Sequence, residues 1–153
     1  MDKFMQEALN EAKKGISNNE GGPFGAVIVK DGKIIGRGHN QVIINNDPTA
    51  HAEIQAIRQA CKNINNFSLK GCQIYTTCEP CPMCFSAIHW ARLDKVYYGA
   101  TKEEASKIGF DDGFLYDILE KKVKDNVEFI QMNEKESNEV CEEWAKKEDK
   151  ILY

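Results

Sequence analysis

His51-Ala52-Glu53 and Pro80-Cys81-Pro82-Met83-Cys84 are the strings in this chain whose residue types and spacing can do chemistry. One imidazole and two thiolates offer three ligands to a tetrahedral zinc ion and leave its fourth position to water, the arrangement of a catalytic rather than a structural site. Glu53 is then a spare carboxylate beside that water, suited to general acid–base work.

The elements that must position these groups are two helix starts. His51 falls where a helix is predicted to begin, and Cys81 and Cys84 fall where another begins after a strand. Helix N-termini favour thiolate over thiol. The C-x-x-C spacing lets one helical turn present two sulfurs to one ion. Residues at i and i+2 do not share a helix face, so His51 and Glu53 can serve one site only if the ion lies near the helix end and the side chains converge from two sides.

Three other uses of these cysteines compete. Cys78-x-x-Cys81-x-x-Cys84 superficially matches an iron–sulfur run, but Ile88 stands where the fourth cysteine would fall. A redox C-x-x-C leaves His51 and Glu53 unexplained. A structural zinc needs a fourth protein ligand, which Cys78 could offer, but a closed site gives Glu53 no role. Cys61, Cys72 and Cys141 read as packing residues, Cys78 and His39 as strand-end residues, and His89 as a satisfied helix residue.

At 153 residues the chain is long enough for one domain with its own core. The expectation is a cytoplasmic protein, because the N-terminal residues carry charge where a signal peptide needs an apolar run and nothing reaches transmembrane length. In that compartment six cysteines point to metal or reactivity rather than disulfides. Residues 101–153 hold fifteen acids against nine Lys and no Arg, the opposite of a nucleic-acid-binding tail. No membrane or nucleic-acid partner is expected.

Phe4, Ala8, Ala12 and Ile16 mark a first helix, ended by Gly15 and the Asn-Asn-Glu-Gly-Gly stretch. Ala26–Val29 and Lys33–Gly36 flank Asp31-Gly32 as a hairpin. A helix follows from His51 to about Lys62. Gln73–Thr77 is a third strand, Pro82–Arg92 a helix opened by proline, and Lys95–Gly99 a fourth strand. A short helix spans Phe114–Leu119, a fifth strand Asp125–Ile130, and a charged helix about Glu134–Lys147. Alternating strands and helices imply an α/β sheet covered on both faces.

Pro23-Phe24-Gly25-Ala26, Gly38-His39-Asn40, Asp47-Pro48-Thr49-Ala50-His51-Ala52-Glu53 and Cys78-Glu79-Pro80-Cys81-Pro82-Met83-Cys84 resemble the cytidine deaminase-like superfamily, of which H-x-E with P-C-x-x-C is a mark. Within it the chain is similar to the small bacterial guanine deaminases, through Gly109–Phe114 and the Tyr153 end after a charged helix. The tRNA adenosine deaminases share the zinc strings, as do cytosine deaminases, and a non-catalytic zinc-binding scaffold is the alternative outside enzymes.

The resemblance implies a three-layer α/β/α fold with a mixed five-stranded sheet, one zinc per subunit, and hydrolysis of guanine to xanthine and ammonia. It also implies a homodimer in which residues 134–153 exchange and cover the partner's site. Zinc would be held by His51, Cys81 and Cys84, with Glu53 catalytic. Base recognition would fall to Phe24, Asn40, the Ala52 amide, Trp90, Asp112 and Tyr153, with Asp111 as the fallback for Asp112. Trp90, on an apolar helix, could equally be core.

Overall fold

The computed structural model describes residues 2–152. They divide into two compact units, residues 2–116 and 117–152. Tyr153 itself lies outside the described residues.

In the first unit, helix α1 (Lys3–Ser17) is capped by Asp2, whose carboxylate accepts from the Phe4 and Met5 amides. Gly15 lies inside α1 rather than ending it, and is buried there. Strands β1 (Gly25–Lys30) and β2 (Lys33–His39) form the expected hairpin. Its turn residues Asp31 and Gly32 both take positive φ, at 48° and 74°, which matches the twist of the flanking strands. After the short α2 (Val42–Asn45) come α3 (Ala52–Ile64), β3 (Gln73–Cys78), α4 (Pro82–Trp90), β4 (Lys95–Ala100) and α5 (Lys102–Lys107). Helix α6 spans Gly113–Leu119.

The sheet order is β2-β1-β3-β4. β1 is antiparallel to β2 and β3, and β3 is parallel to β4. The strand period of two divides β1 between two cores. Ala26 and Ile28 face the Ala-rich side of α3 and Ile88 of α4. Val27 and Val29 face Ala8, Phe4 and Met5 of α1. Both sheet faces are thus covered by helices, giving the α/β/α layering.

Small residues decide how closely α3 lies on the sheet. A Cβ on Gly36 would stand 2.4 Å from the Ala56 carbonyl oxygen, and one on Gly38 2.4 Å from that of Ala52. With Ala52, Ala56 and Ala60 fully buried opposite them, backbone meets backbone. The close seat carries the α3 N-terminus to the end of β2.

Among the described residues the sheet has four strands, not five. Residues 125–130 form no ladder. The Val127 amide instead donates to the Asp125 carboxylate at 2.8 Å, a local turn that competes with strand pairing. Val127 and Phe129 are exposed, Phe129 by 84%. The second unit contains α7 (Glu134–Lys146), close to its expected bounds. Cys141 on α7 is exposed and so is not a packing residue, whereas Cys61 and Cys72 do join the first unit's core. No helix among the described residues is long and apolar enough to cross a membrane.

Candidate active site

His51 is the N-cap of α3 and Cys81 the N-cap of α4, both with extended backbone (φ −70°, ψ 157° and φ −66°, ψ 168°). Being off the helix, His51 is not bound by the helical face rule, which lets its ring and the Glu53 carboxylate approach one point from two sides. Cys84, one turn into α4, completes the convergence. Pro82 at the first helical position removes an amide that would have no helical partner and fixes that turn.

His51 Nδ1 lies 3.5 Å from both Cys81 Sγ and Cys84 Sγ. All three donor atoms lie within 4.8 Å of one another. A tetrahedral zinc with bonds of about 2.1 Å to nitrogen and about 2.3 Å to sulfur sets N and S about 3.6 Å apart. The donor set therefore fits zinc in both chemistry and spacing. Cys78 is not in the group: its Sγ lies 3.8 Å from the Thr101 carbonyl oxygen, to which it donates, and burial pushes its thiol up to about 11.

The electrostatics favour a cation here. Hydrogen bonds from Cys84 and then His51 pull Cys81 down to about 4. The same contact raises Cys84, whose proton is held toward Cys81, and the Cys81 thiolate raises His51. Glu53 is buried, which raises its carboxyl above the ordinary range, and its Oε2 lies 3.5 Å from Cys84 Sγ.

These groups open onto a cavity of about 650 Å³ that Phe24, Asn40, His51, Glu53, Asp111 and Asp112 help to line. Such a volume suits a small organic ligand. The buried Asn40 accepts at Oδ1 from the Gly22 and Val42 amides, both at 3.2 Å. That fixes the amide's orientation and leaves its NH2 as the group to meet a ligand, where sequence reasoning allowed both donor and acceptor. Ala52 is fully buried at the first helical position, where an amide has no acceptor within the helix. Asp112 is partly buried, which raises its carboxyl, whereas Asp111 is exposed and accepts from the Gly113 amide at 2.9 Å.

The structure does not bring Trp90 to the cavity. It stands six residues after Cys84, about 9 Å further along the helix and on another side, and is 67% exposed. It is also not core. Phe110 takes a place against Phe24 instead, edge to face with centroids 4.9 Å apart, and lines the cavity with Lys102. Sequence reasoning assigned no role to Phe110 or Lys102, although Phe110 sits in the Gly109–Phe114 segment already singled out.

Fold, donor set and buried carboxylate together define a zinc-dependent deaminase domain. Residues 1–100 match the cytidine and deoxycytidylate deaminase zinc-binding region, and the chain belongs to that family. Guanine deaminase of Bacillus subtilis strain 168 is 45% identical over 98% of this chain and 97% of its own. A crystal structure of Bacillus subtilis guanine deaminase covers 100% of this chain and 99% of that one, with TM-score 0.94 at 44% identity. The tRNA-specific adenosine deaminase of Aquifex aeolicus is 47% identical, but over 63% of this chain and 64% of its own. A guanine deaminase structure from Nitrosomonas europaea covers 72% of this chain and 64% of that one, with TM-score 0.68 at 31% identity.

Proposed function

We propose that the chain is a zinc-dependent aminohydrolase that converts guanine and water to xanthine and ammonia. The observation that carries this reading is the extent of the likeness: guanine deaminase matches over 98% of the chain, the acidic C-terminal third included, whereas tRNA-specific adenosine deaminases match over 63% to 76% of it. The same third lacks arginine, and a tRNA binder needs cations facing phosphate.

His51, Cys81 and Cys84 hold the zinc, which when bound supplies Lewis acidity that makes water a nucleophile near neutral pH. Phe24 stacks on the flat base, and the Asn40 NH2 donates to its keto oxygen. The Ala52 amide is a further donor at the helix start. Asp112 accepts from the purine N–H groups. Glu53 takes a proton from the attacking water and delivers it to a ring nitrogen as oxygen adds to C2, then takes the proton of the new C2 hydroxyl and passes it to the amine as the C2–N bond breaks and the carbonyl forms. Burial of Glu53 suits it to both giving and taking that proton.

The chain works as one catalytic domain in a cytoplasmic homodimer, in which residues 134–153 of one subunit cover the other's site. Support comes from the second unit itself: Phe129, Ile130, Met132, Ile151 and Leu152 are all exposed, an apolar set that a soluble chain ordinarily buries. Tyr153 closes the pocket over the base and excludes a ribose. The test is zinc-loaded protein with guanine, cytosine, adenine, guanosine and a tRNA anticodon stem-loop. Ammonia and xanthine appear in equal amounts with guanine, and release of ammonia from none of them returns the scaffold alternative.

A further inference from the structure

His39 ends β2 beside Asn40, is buried, and takes no part in the chemistry above. Its ring lies between two carboxylates: Nδ1 is 3.0 Å from Glu11 Oε2 and Nε2 is 2.6 Å from Glu20 Oε2. Both contacts are made when each ring nitrogen carries a proton. Helix α1 accommodates the ring at Gly15, where a Cβ would stand 2.9 Å from His39 Cδ2. Glu11 and Gly15 are four residues apart, so one helix face supplies both the carboxylate and the space.

From Glu20 the contacts run to the pocket. Its Oε2 also accepts from Gln41 Nε2 at 2.8 Å, and Gln41 Oε1 accepts from Gln55 Nε2 at 2.6 Å on α3. The Glu20 carbonyl accepts from the Ile43 and Ile44 amides. Gly22, two residues on, donates its amide to Asn40 Oδ1. A Cβ on Gly21 would stand 2.1 Å from that same oxygen. The loop that orients the Asn40 amide is therefore tied down at Glu20, and Glu20 is tied down by His39.

The geometry points to His39 as a positioning residue for substrate recognition: through Glu20 it holds the Gly21-Gly22 loop so that the Asn40 NH2 faces the keto oxygen of the base. This rests on the reading of Asn40 as the group that meets that oxygen. Loss of the ring removes the shortest of the side-chain contacts on Glu20, the others being from Gln41 and Asn18, and so loosens the loop; the affected interaction is one that guanine has and 2-aminopurine, without the keto group, does not.

The experiment measures kcat and KM for both substrates, with thermal unfolding midpoints and zinc content, in the wild type, His39→Phe, His39→Gln, Glu20→Gln and Asn40→Ala. His39→Phe raises KM for guanine about tenfold with kcat within about twofold, and leaves KM for 2-aminopurine within about twofold. His39→Gln, which keeps a donor toward Glu20, recovers most of the loss. Glu20→Gln keeps the ring in place and shifts guanine KM in the same direction, which covers the case that His39→Phe does not fold. In the Asn40→Ala background, His39→Phe and Glu20→Gln add nothing further.

A lowered unfolding midpoint with an unchanged guanine KM, or equal changes for both substrates, overturns the proposal. If Asn40→Ala alone raises guanine KM and neither His39→Phe nor Glu20→Gln does, the positioning role fails while guanine deamination stands. If Asn40→Ala leaves guanine KM unchanged, both the recognition role of Asn40 and the positioning role fall. Wild-type protein that releases no ammonia from guanine overturns the functional reading itself.

Discussion

The Glu53 carboxylate lies 3.5 Å from the Cys84 sulfur, so the carboxylate proposed to transfer protons and a candidate metal donor meet at the junction of two helix N-termini. Replacing Glu53 with Gln keeps the shape and removes the base. Zinc content stays at one per chain while turnover falls by about a hundredfold to ten-thousandfold. Metal analysis beside an ammonia assay checks this, and near-native turnover would remove Glu53 from the role.

The site depends on how closely α3 lies on β2. In Gly38→Ala the new Cβ stands 2.4 Å from the Ala52 carbonyl oxygen, so helix and strand must separate. Overpacking of this kind costs about 1–3 kcal/mol, which lowers the unfolding midpoint of a chain this size by several degrees. Zinc affinity falls with it because His51 moves with the helix. A titration with a competing chelator measures the second effect.

Glu20 gives a pH dependence of definite sign. Its hydrogen bond from His39, then those from Gln41 and Asn18, hold the carboxyl at about 2, against 4.5 ordinarily. The unfolded chain binds the extra proton first, so this stabilisation is complete above 4.5 and fades as pH falls toward 2. The gap in unfolding midpoint between wild type and Glu20→Gln is widest above about pH 5 and narrows toward about pH 3. Thermal scans across that range check it; a gap that widens in acid contradicts it.

Removing Ile151, Leu152 and Tyr153 is expected to abolish guanine turnover while leaving zinc bound. The intact protein is expected to sediment as a species of twice the 17.3 kDa chain mass. Unchanged activity after truncation removes the lid, and a monomer at working concentration removes the exchange.

Much of this was legible in the sequence because ligand chemistry is local. Two strings spell out the donor set, and the proline and strand beside Cys81 mark the helix start that turns the sulfurs inward. The β1–β2 hairpin was legible from Asp31-Gly32. The fifth strand misled because the composition of 125–130 suits a strand whether or not a ladder partner exists. That Trp90 does not line this chain's own cavity was not legible, because residue type does not give helical phase. The Glu11–His39–Glu20 contact joins positions far apart in sequence, and no local pattern announces it. Phe110 against Phe24 is likewise a tertiary pairing.

The most direct test of the central claim is kcat/KM of zinc-loaded protein for guanine against guanosine and a tRNA anticodon stem-loop. Guanine is expected to be preferred by at least about a hundredfold, since a pocket closed as proposed would refuse both ribose and phosphate. Preference for the stem-loop, or equal rates on guanine and guanosine, would contradict it.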